Sequence, residues 1–260
     1  MPTIDLNCDM GESFGAYRIG ADADVMGSIT SANIACGFHG GDPSVMRRTV
    51  LMARASGVAL GAHPGLPDLA GFGRREMQVT PADVETMVLY QIGALAAIAR
   101  SQGERLQHVK AHGALYNMAA RDRSLADAIA RAVHAFDPAL VLFALPESEL
   151  TRAGDAAGLR VAAEGFADRS YEPDGSLTPR SRPGSVIHDA AAVVERAVRM
   201  AVDGRVAATD GSTISLRIDT LCVHGDTPRA DELARLLRAG LERAGVAVAA
   251  PSAVNGGGGR

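Results

Sequence analysis

SANIACGFHGGDP, residues 31–43, opens as a buried strand, passes through two glycine-containing bends that carry His39, and stops at Asp42-Pro43. Asp accepts hydrogen bonds from the first free N–H groups of a helix, and Pro at the first helical position loses none. His39 is therefore expected between the carboxyl end of a strand and the amino end of a helix, where parallel α/β folds bind their ligands. The same order of strand, polar residue and glycine recurs at Asp9-Met10-Gly11-Glu12, His63-Pro64-Gly65, Lys110-Ala111-His112-Gly113 and His224-Gly225-Asp226. One such histidine is equally a residue held by backbone carbonyls; the repetition is the signal.

Working outward, residues 3–9 (TIDLNCD) put Asp5, Asn7 and Asp9 on one face of a strand and Ile4, Leu6 and Cys8 on the other. In a barrel of parallel strands the outer face lies under helices and must be apolar, so the three polar side chains should point inward. Strands are expected over 3–9, 31–36, 58–62, 107–111, 140–144, 159–163 and 221–224, alternating with helices over 43–55, 80–103, 124–136, 147–157, 189–202 and 228–244. Asp22 and Asp24 suit the start of a short helix, and Asp210-Gly211 marks a turn between two extended pieces. Seven strands alternating with helices make an α/β, TIM-like barrel, read as one domain over residues 1–250 with a flexible tail over 251–260. Residues 64–77 and the Pro-, Gly- and Ser-rich stretch up to Gly184 read as long functional loops.

Composition narrows the function. The chain has 260 residues, 47% of them hydrophobic, 22% charged and 4% aromatic, with no Trp and a net charge of −4. It lacks the aromatics and positive charge that favour a nucleic-acid partner. The N-terminus shows no basic region followed by an apolar run, and apolar stretches such as 139–145 fall far short of the ~20 residues that cross a bilayer. A cytoplasmic location is expected. Cys8, Cys36 and Cys222 all fall in buried strands and suit reduced thiols of a core.

Carboxylates, imidazoles and a lysine converging on one barrel mouth are what hydrolytic acid/base chemistry needs. Lys110 is the hardest to explain structurally, because a buried ammonium demands a carboxylate partner, for which Asp5, Asp9 and Asp226 are available. Asp and His ligands on neighbouring strands also suit a divalent ion, although no HExxH pair or cysteine cluster names one. No Walker loop, GxGxxG or GxSxG elbow appears, so the chain shows no nucleotide cradle of its own.

Six blocks carry a family likeness: DLNCDMGESFG (5–15), SANIACGFHGGDP (31–43), GAHPGLPDLAGFGRR (61–75), HVKAHGALYN (108–117), EGFADRSY (164–171) and DTLCVHGD (219–226). Spread in order over nearly the whole chain, they resemble the LamB/YcsF family. The resemblance implies a barrel of the glycoside hydrolase/deacetylase type. It also implies ATP-dependent opening of the cyclic amide 5-oxoproline to glutamate, with ATP bound or used together with two partners, 5-oxoprolinase subunits B and C. In that scheme Asp9 or Asp226 is the general base, and Lys110 stabilises developing negative charge. His39, His63, His112 and His224 position the ring or shuttle protons, Asn7 and Glu12 line the site, and Arg74 or Arg75 pairs with the substrate carboxylate. Ala111 stands where the family usually has Pro, which loosens the backbone before His112. Two other classes compete: a stand-alone metal-dependent amidohydrolase or deacetylase, and a non-catalytic subunit that only binds the lactam.

Overall fold

The computed structural model describes residues 1–223 and 229–251. In chain order its strands are β1 (Thr3–Met10), β2 (Ser31–Ala35), β3 (Ala59–His63), β4 (Leu106–Lys110), β5 (Val141–Ala144), β6 (Arg160–Phe166), the antiparallel pair β7 (Arg205–Ala207) and β8 (Thr213–Ser215), then β9 (Thr220–Val223) and β10 (Ala247–Val248). Strands β1 to β6 and β9 run parallel, and β9 pairs with both β6 and β1, which closes a seven-stranded barrel. Strand β10 adds in parallel beside Thr3 and Ile4. The helices are α1 (Asp22–Val25), α2 (Pro43–Ser56), α3 (Pro81–Ser101), α4 (Gly113–Arg121), α5 (Arg123–Phe136), α6 (Glu149–Ala156), α7 (Ala190–Asp203) and α8 (Ala230–Arg243).

Alternation along the strands sorts the two faces of the barrel wall. Ile4, Leu6, Cys8, Met10, Ile34 and Val109 face outward and are buried in the main apolar core, while Asp5, Asn7, Asn33, His108, Lys110 and Glu164 are buried polar groups joined to one another inside. Strand β5 supplies the exception: Val141 and Phe143 form a small separate apolar cluster with Ala162. Phe143 stacks on His108 with ring centroids 4.2 Å apart, so the barrel interior has a polar wall and an apolar one.

The junction after β2 forms as its residues dictate. Asp42 caps α2, its carboxylate accepting from the backbone N–H groups of Ser44 and Val45, with Pro43 following. Gly41 has φ +77, and a Cβ there would lie 2.5 Å from the Ala35 carbonyl oxygen, so no other residue fits this return of the chain.

Several expectations shift. Strand β6 runs to Phe166 rather than stopping at 163, which brings Glu164 into the ladder opposite Thr220. Gly165 is a point of close packing rather than a break, since a Cβ there would meet Ile218 at 2.9 Å. The stretch from Gly113, which the sequence reads as a loop or a turn of helix, forms the nine-residue α4. Finally, α3 spans 21 residues and is long and apolar enough to cross a membrane, although its polar residues interrupt any continuous apolar run. Its Val84, Val88, Ile92 and Leu95 are buried in the core, as an outer barrel helix requires. The polar stretch after β6 is pinned rather than loose. Buried Arg169 donates to the Ser185 and Thr178 carbonyls, and the Tyr171 hydroxyl accepts from the Phe166 N–H.

Gly61 on β3 lies opposite His108, whose ring fills the space a side chain would take: a Cβ would sit 2.0 Å from His108 Nε2. Gly61→Ala should therefore lower stability by about 1–3 kcal/mol, the range for overpacking a filled core, measured as a shift in urea unfolding midpoint.

Candidate active site at the carboxyl rim of the barrel

The inward side chains of β1 organise a ladder of polar contacts that rises toward the mouth. At the bottom, Asp5 accepts hydrogen bonds from the hydroxyls of Thr30 (2.6 Å), Ser31 (2.7 Å) and Thr220 (2.6 Å). Burial raises its pKa, and these three donors oppose the rise. Asn7 comes next, donating to Glu164 Oε1 (3.0 Å) and Thr220 Oγ1 (2.7 Å). Asn33 on β2 donates to both Asn7 Oδ1 (2.7 Å) and Asp9 Oδ1 (2.8 Å), and its own oxygen lies 2.7 Å from His108 Nε2. Since that oxygen only accepts, His108 Nε2 carries the proton. Burial, followed by the nearby Lys110 charge, pulls the pKa of His108 down to about 3.

Lys110 stands at the centre. Its ammonium lies 2.9 Å from Asp9 Oδ1, 2.8 Å from Glu164 Oε1, 3.2 Å from Asn7 Oδ1 and 3.0 Å from Cys222 Sγ. Burial alone pulls its pKa down, but the carboxylates of Asp9 and Glu164 outweigh that and hold it well above the ordinary lysine value. Three N–H groups already face four acceptors, so in this arrangement Lys110 serves as counterion to Asp9 and Glu164. The Cys222 thiol is pushed well up by burial, which keeps it protonated.

Three histidines roof Asp9. His63 Nδ1 lies 2.8 Å from the Lys110 carbonyl oxygen, while its Nε2 lies 3.3 Å from Asp9 Oδ2 and 2.9 Å from His112 Nδ1. His112 Nε2 lies 2.8 Å from the Phe72 carbonyl oxygen. His39 stacks on His112 in parallel, with centroids 3.7 Å apart, and neither of its ring nitrogens has a hydrogen-bond partner among the described residues. Burial lowers the pKa values of His39 and His112 well below the ordinary histidine range, and the neighbouring imidazoles add to the effect, so both rings are neutral at neutral pH. Glu12 Oε1 lies 3.6 Å from His39 Nε2 and 3.5 Å from His112 Nδ1. Glu12, His39, His63 and His112 thus present one possible metal-ligand atom each, all within 4.8 Å of one another.

Of the residues singled out from the sequence, Asn7, Asp9, Glu12, His39, His63, Lys110 and His112 meet in this one cluster. His224 and Asp226 lie outside the described residues. The two arginines part company. Arg75 is tied to Asp68 through two hydrogen bonds and its side chain is 67% exposed, whereas Arg74 lies over the Phe72 ring and acts electrostatically on His39 and His112. Asp5, an available partner for Lys110, is held instead by its three hydroxyls. At Ala111 the absent proline is offset by the His112 N–H, which donates to the Pro64 carbonyl at 2.8 Å.

A family model described as the LamB/YcsF family matches residues 4–256. The chain belongs to the LamB/YcsF family. Within it, the chain is 59% identical over 249 residues to a Bordetella pertussis protein named as the A subunit of 5-oxoprolinase, covering 96% of this chain and 99% of that one. A Bacillus subtilis protein of the same name is 55% identical over 249 residues, covering 96% and 97%. The crystal structure of a lactam utilization protein from Thermus thermophilus superposes with a TM-score of 0.91 at 52% identity, covering 96% of this chain and all of that one.

Sequence reasoning left four contributors out of the site. Asn33 and His108 carried a signal, lying on the inward faces of β2 and β4, but neither ends its strand. Glu164 falls just past the expected end of its strand, and Cys222, two residues before His224, suits a core thiol better than a catalytic one. The described histidines bear on stability as well. An unfolded histidine takes up its proton near pH 6.5, while folded His108 does so only near 3. Between these values the unfolded chain binds the extra proton, so stability falls as pH drops, by up to ~1.4 kcal/mol per pH unit for that ring. Urea midpoints measured from pH 7 down to 4.5 should decline, and His108→Gln should make that decline shallower by about one proton.

Proposed function

We propose that this protein is the A component of a 5-oxoprolinase, opening the lactam of 5-oxo-L-proline to L-glutamate in an ATP-dependent reaction shared with subunits B and C, in the cytoplasm. Relatives at 55–59% identity are named as the A subunit of that enzyme over nearly their whole length. The observation that carries the chemistry is the placement of Asp9. One of its oxygens is bound by Lys110 and Asn33, the other faces His63, and its side chain is 11% exposed where Lys110, Glu164 and His63 are at most 4%. It is the carboxylate of this network that reaches the mouth.

In this reading Asp9 takes the proton from the water that attacks the lactam carbonyl carbon. His63 and His112, their facing nitrogens 2.9 Å apart at the mouth, position the ring, and Asp9 passes the proton it took from water to the ring nitrogen as the carbon–nitrogen bond breaks. Lys110 keeps Asp9 ionised and aimed rather than meeting the substrate. Arg74 pairs with the substrate carboxylate, and Arg75 is already committed to Asp68. The mouth, lined by Asp9, Glu12 and neutral imidazoles, does not fit a polyphosphate, so ATP is assigned to the partner subunits and no step of its chemistry to this chain. Three free buried cysteines suit a reducing compartment.

Mixing this chain with subunits B and C should give glutamate from 5-oxoproline only when ATP is present. Asp9→Asn should lower that rate by ~10²–10⁴-fold, the contribution of a positioned acid or base. Turnover within a few-fold of normal would assign the chain a binding role only. Lactam cleavage by the chain alone, without ATP, would favour the stand-alone metal-dependent amidohydrolase, to which the Glu12 and histidine cluster also lends itself.

A further inference from the structure

The tautomers of two of the roofing histidines are fixed by their neighbours. A backbone carbonyl can only accept, so His63 Nδ1 must donate to the Lys110 oxygen and His112 Nε2 must donate to the Phe72 oxygen. Burial keeps His112 neutral, so its Nδ1 is a bare lone pair, and the nitrogen that faces it is His63 Nε2. The two lie 2.9 Å apart, with Asp9 Oδ2 3.3 Å from His63 Nε2 and Glu12 Oε1 3.5 Å from His112 Nδ1. His39 adds another nitrogen, 3.6 Å from the same Glu12 oxygen, in a fully buried ring without a hydrogen-bond partner among the described residues. Lone pairs and carboxylate oxygens gathered this closely repel one another unless a cation lies among them.

We propose that His39, His63, His112 and Glu12 form a binding site for one divalent transition-metal ion, with Asp9 at its edge. The donor set, three imidazoles and a carboxylate, suits zinc, cobalt or nickel better than magnesium or calcium. The spacing suits it too. A tetrahedral ion with ligands at about 2.0–2.1 Å places neighbouring ligand atoms about 3.4 Å apart; three of the separations here are 2.9, 3.5 and 3.6 Å, and all four donor atoms lie within 4.8 Å of one another. The carbonyl bonds of His63 and His112 are the outer contacts that fix the ring orientation of metal-binding histidines.

The surrounding glycines agree with a site built to hold rings in place. A Cβ on Gly65 would lie 2.6 Å from His39 Nδ1, and one on Gly73, whose φ is +61, would lie 2.8 Å from His39 Cβ and 2.9 Å from His112 Cδ2. Backbone thus closes on the far side of both rings and leaves His39 Nε2 facing Glu12. Phe72 meets His39 and His112 edge-on and limits water. Burial keeps His39 and His112 neutral, as a metal ligand must be.

The test is separate from turnover. The full chain, stripped with a chelator and dialysed, is titrated with Co2+ alone, and binding is followed by heat and by the visible absorption of four- or five-coordinate cobalt. About one equivalent should bind, with that spectrum, and Zn2+ should displace it. Glu12→Gln and His39→Gln should each weaken binding by more than about 10–100-fold, the loss that removing even an outer-shell partner brings. Arg152→Ala, at an exposed arginine paired with Glu149, should leave binding unchanged. Circular dichroism shows whether each variant is folded. Failure to bind a stoichiometric ion, or unchanged affinity in folded Glu12→Gln and His39→Gln, would overturn the site. Neither result would bear on glutamate formation, so the lactam reading stands or falls by its own assay.

Discussion

A primary ammonium inside a closed barrel must have both its charge and its three hydrogens matched, and Lys110 imposes that demand on every strand around it. Asp9 from β1 and Glu164 from β6 supply the charge, while Asn7 and Cys222 complete the shell of acceptors. The desolvation of a lone buried charge costs several kcal/mol even after relaxation, so removing any one carboxylate would leave an expensive remainder. Two carboxylates against one ammonium leave the pocket electron-rich. That surplus favours cations over phosphates at the rim.

The same constraint explains the stacking of polar side chains along β1. Asp5, Asn7 and Asp9 recur every second residue, and each is bonded to a side chain from a neighbouring strand: Thr30, Ser31 and Thr220 at the bottom, Asn33 and Glu164 in the middle, Lys110 and His63 at the top. Parallel strands in fixed register make this possible. Asn7 pairs with Ser31 on one side and Cys222 on the other, and Asp9 pairs with Asn33. A shift of one residue would turn every one of these groups into the apolar layer beneath the helices. The polar network therefore specifies register as strongly as the apolar core does, and glycines such as Gly61 and Gly165 mark where the packing leaves no room for a side chain.

Much of this was legible in the sequence because strand periodicity and turn chemistry are local. The alternation in residues 3–9, the Asp42-Pro43 helix start and the recurring strand, polar residue and glycine pattern are enough for a seven-stranded barrel with an ionisable rim. What stayed hidden depends on packing between distant segments. The polar run that opens at Glu164 reads as an exit from the barrel, so the strand holding Glu164 looks too short until Ile218 is seen packed against Gly165. His108 and Asn33 sit one layer below the rim, where alternation marks them as inward but cannot say that they touch. Arg74 and Arg75 are equivalent in sequence and are separated only by the fold of the loop, which turns one toward Asp68 and the other over Phe72. Likewise α3 is apolar enough to resemble a membrane span, and only its packing shows that a barrel uses such a helix as cladding.

The apolar half of the interior has its own part in the chemistry. Val141 and Phe143 of β5, the register partners of His108 and Lys110, form an apolar cluster with Ala162, and Phe143 covers the face of His108. Burial of that kind is the first cause of the lowered pKa values of His39, His108 and His112. A wetter barrel would let these rings take up protons near pH 6.5 and turn acceptors into donors. It follows that β5, which carries no ionisable group, helps hold His108 neutral beneath the rim. Burial of the rings and an electron-rich floor together keep imidazole lone pairs available at the mouth.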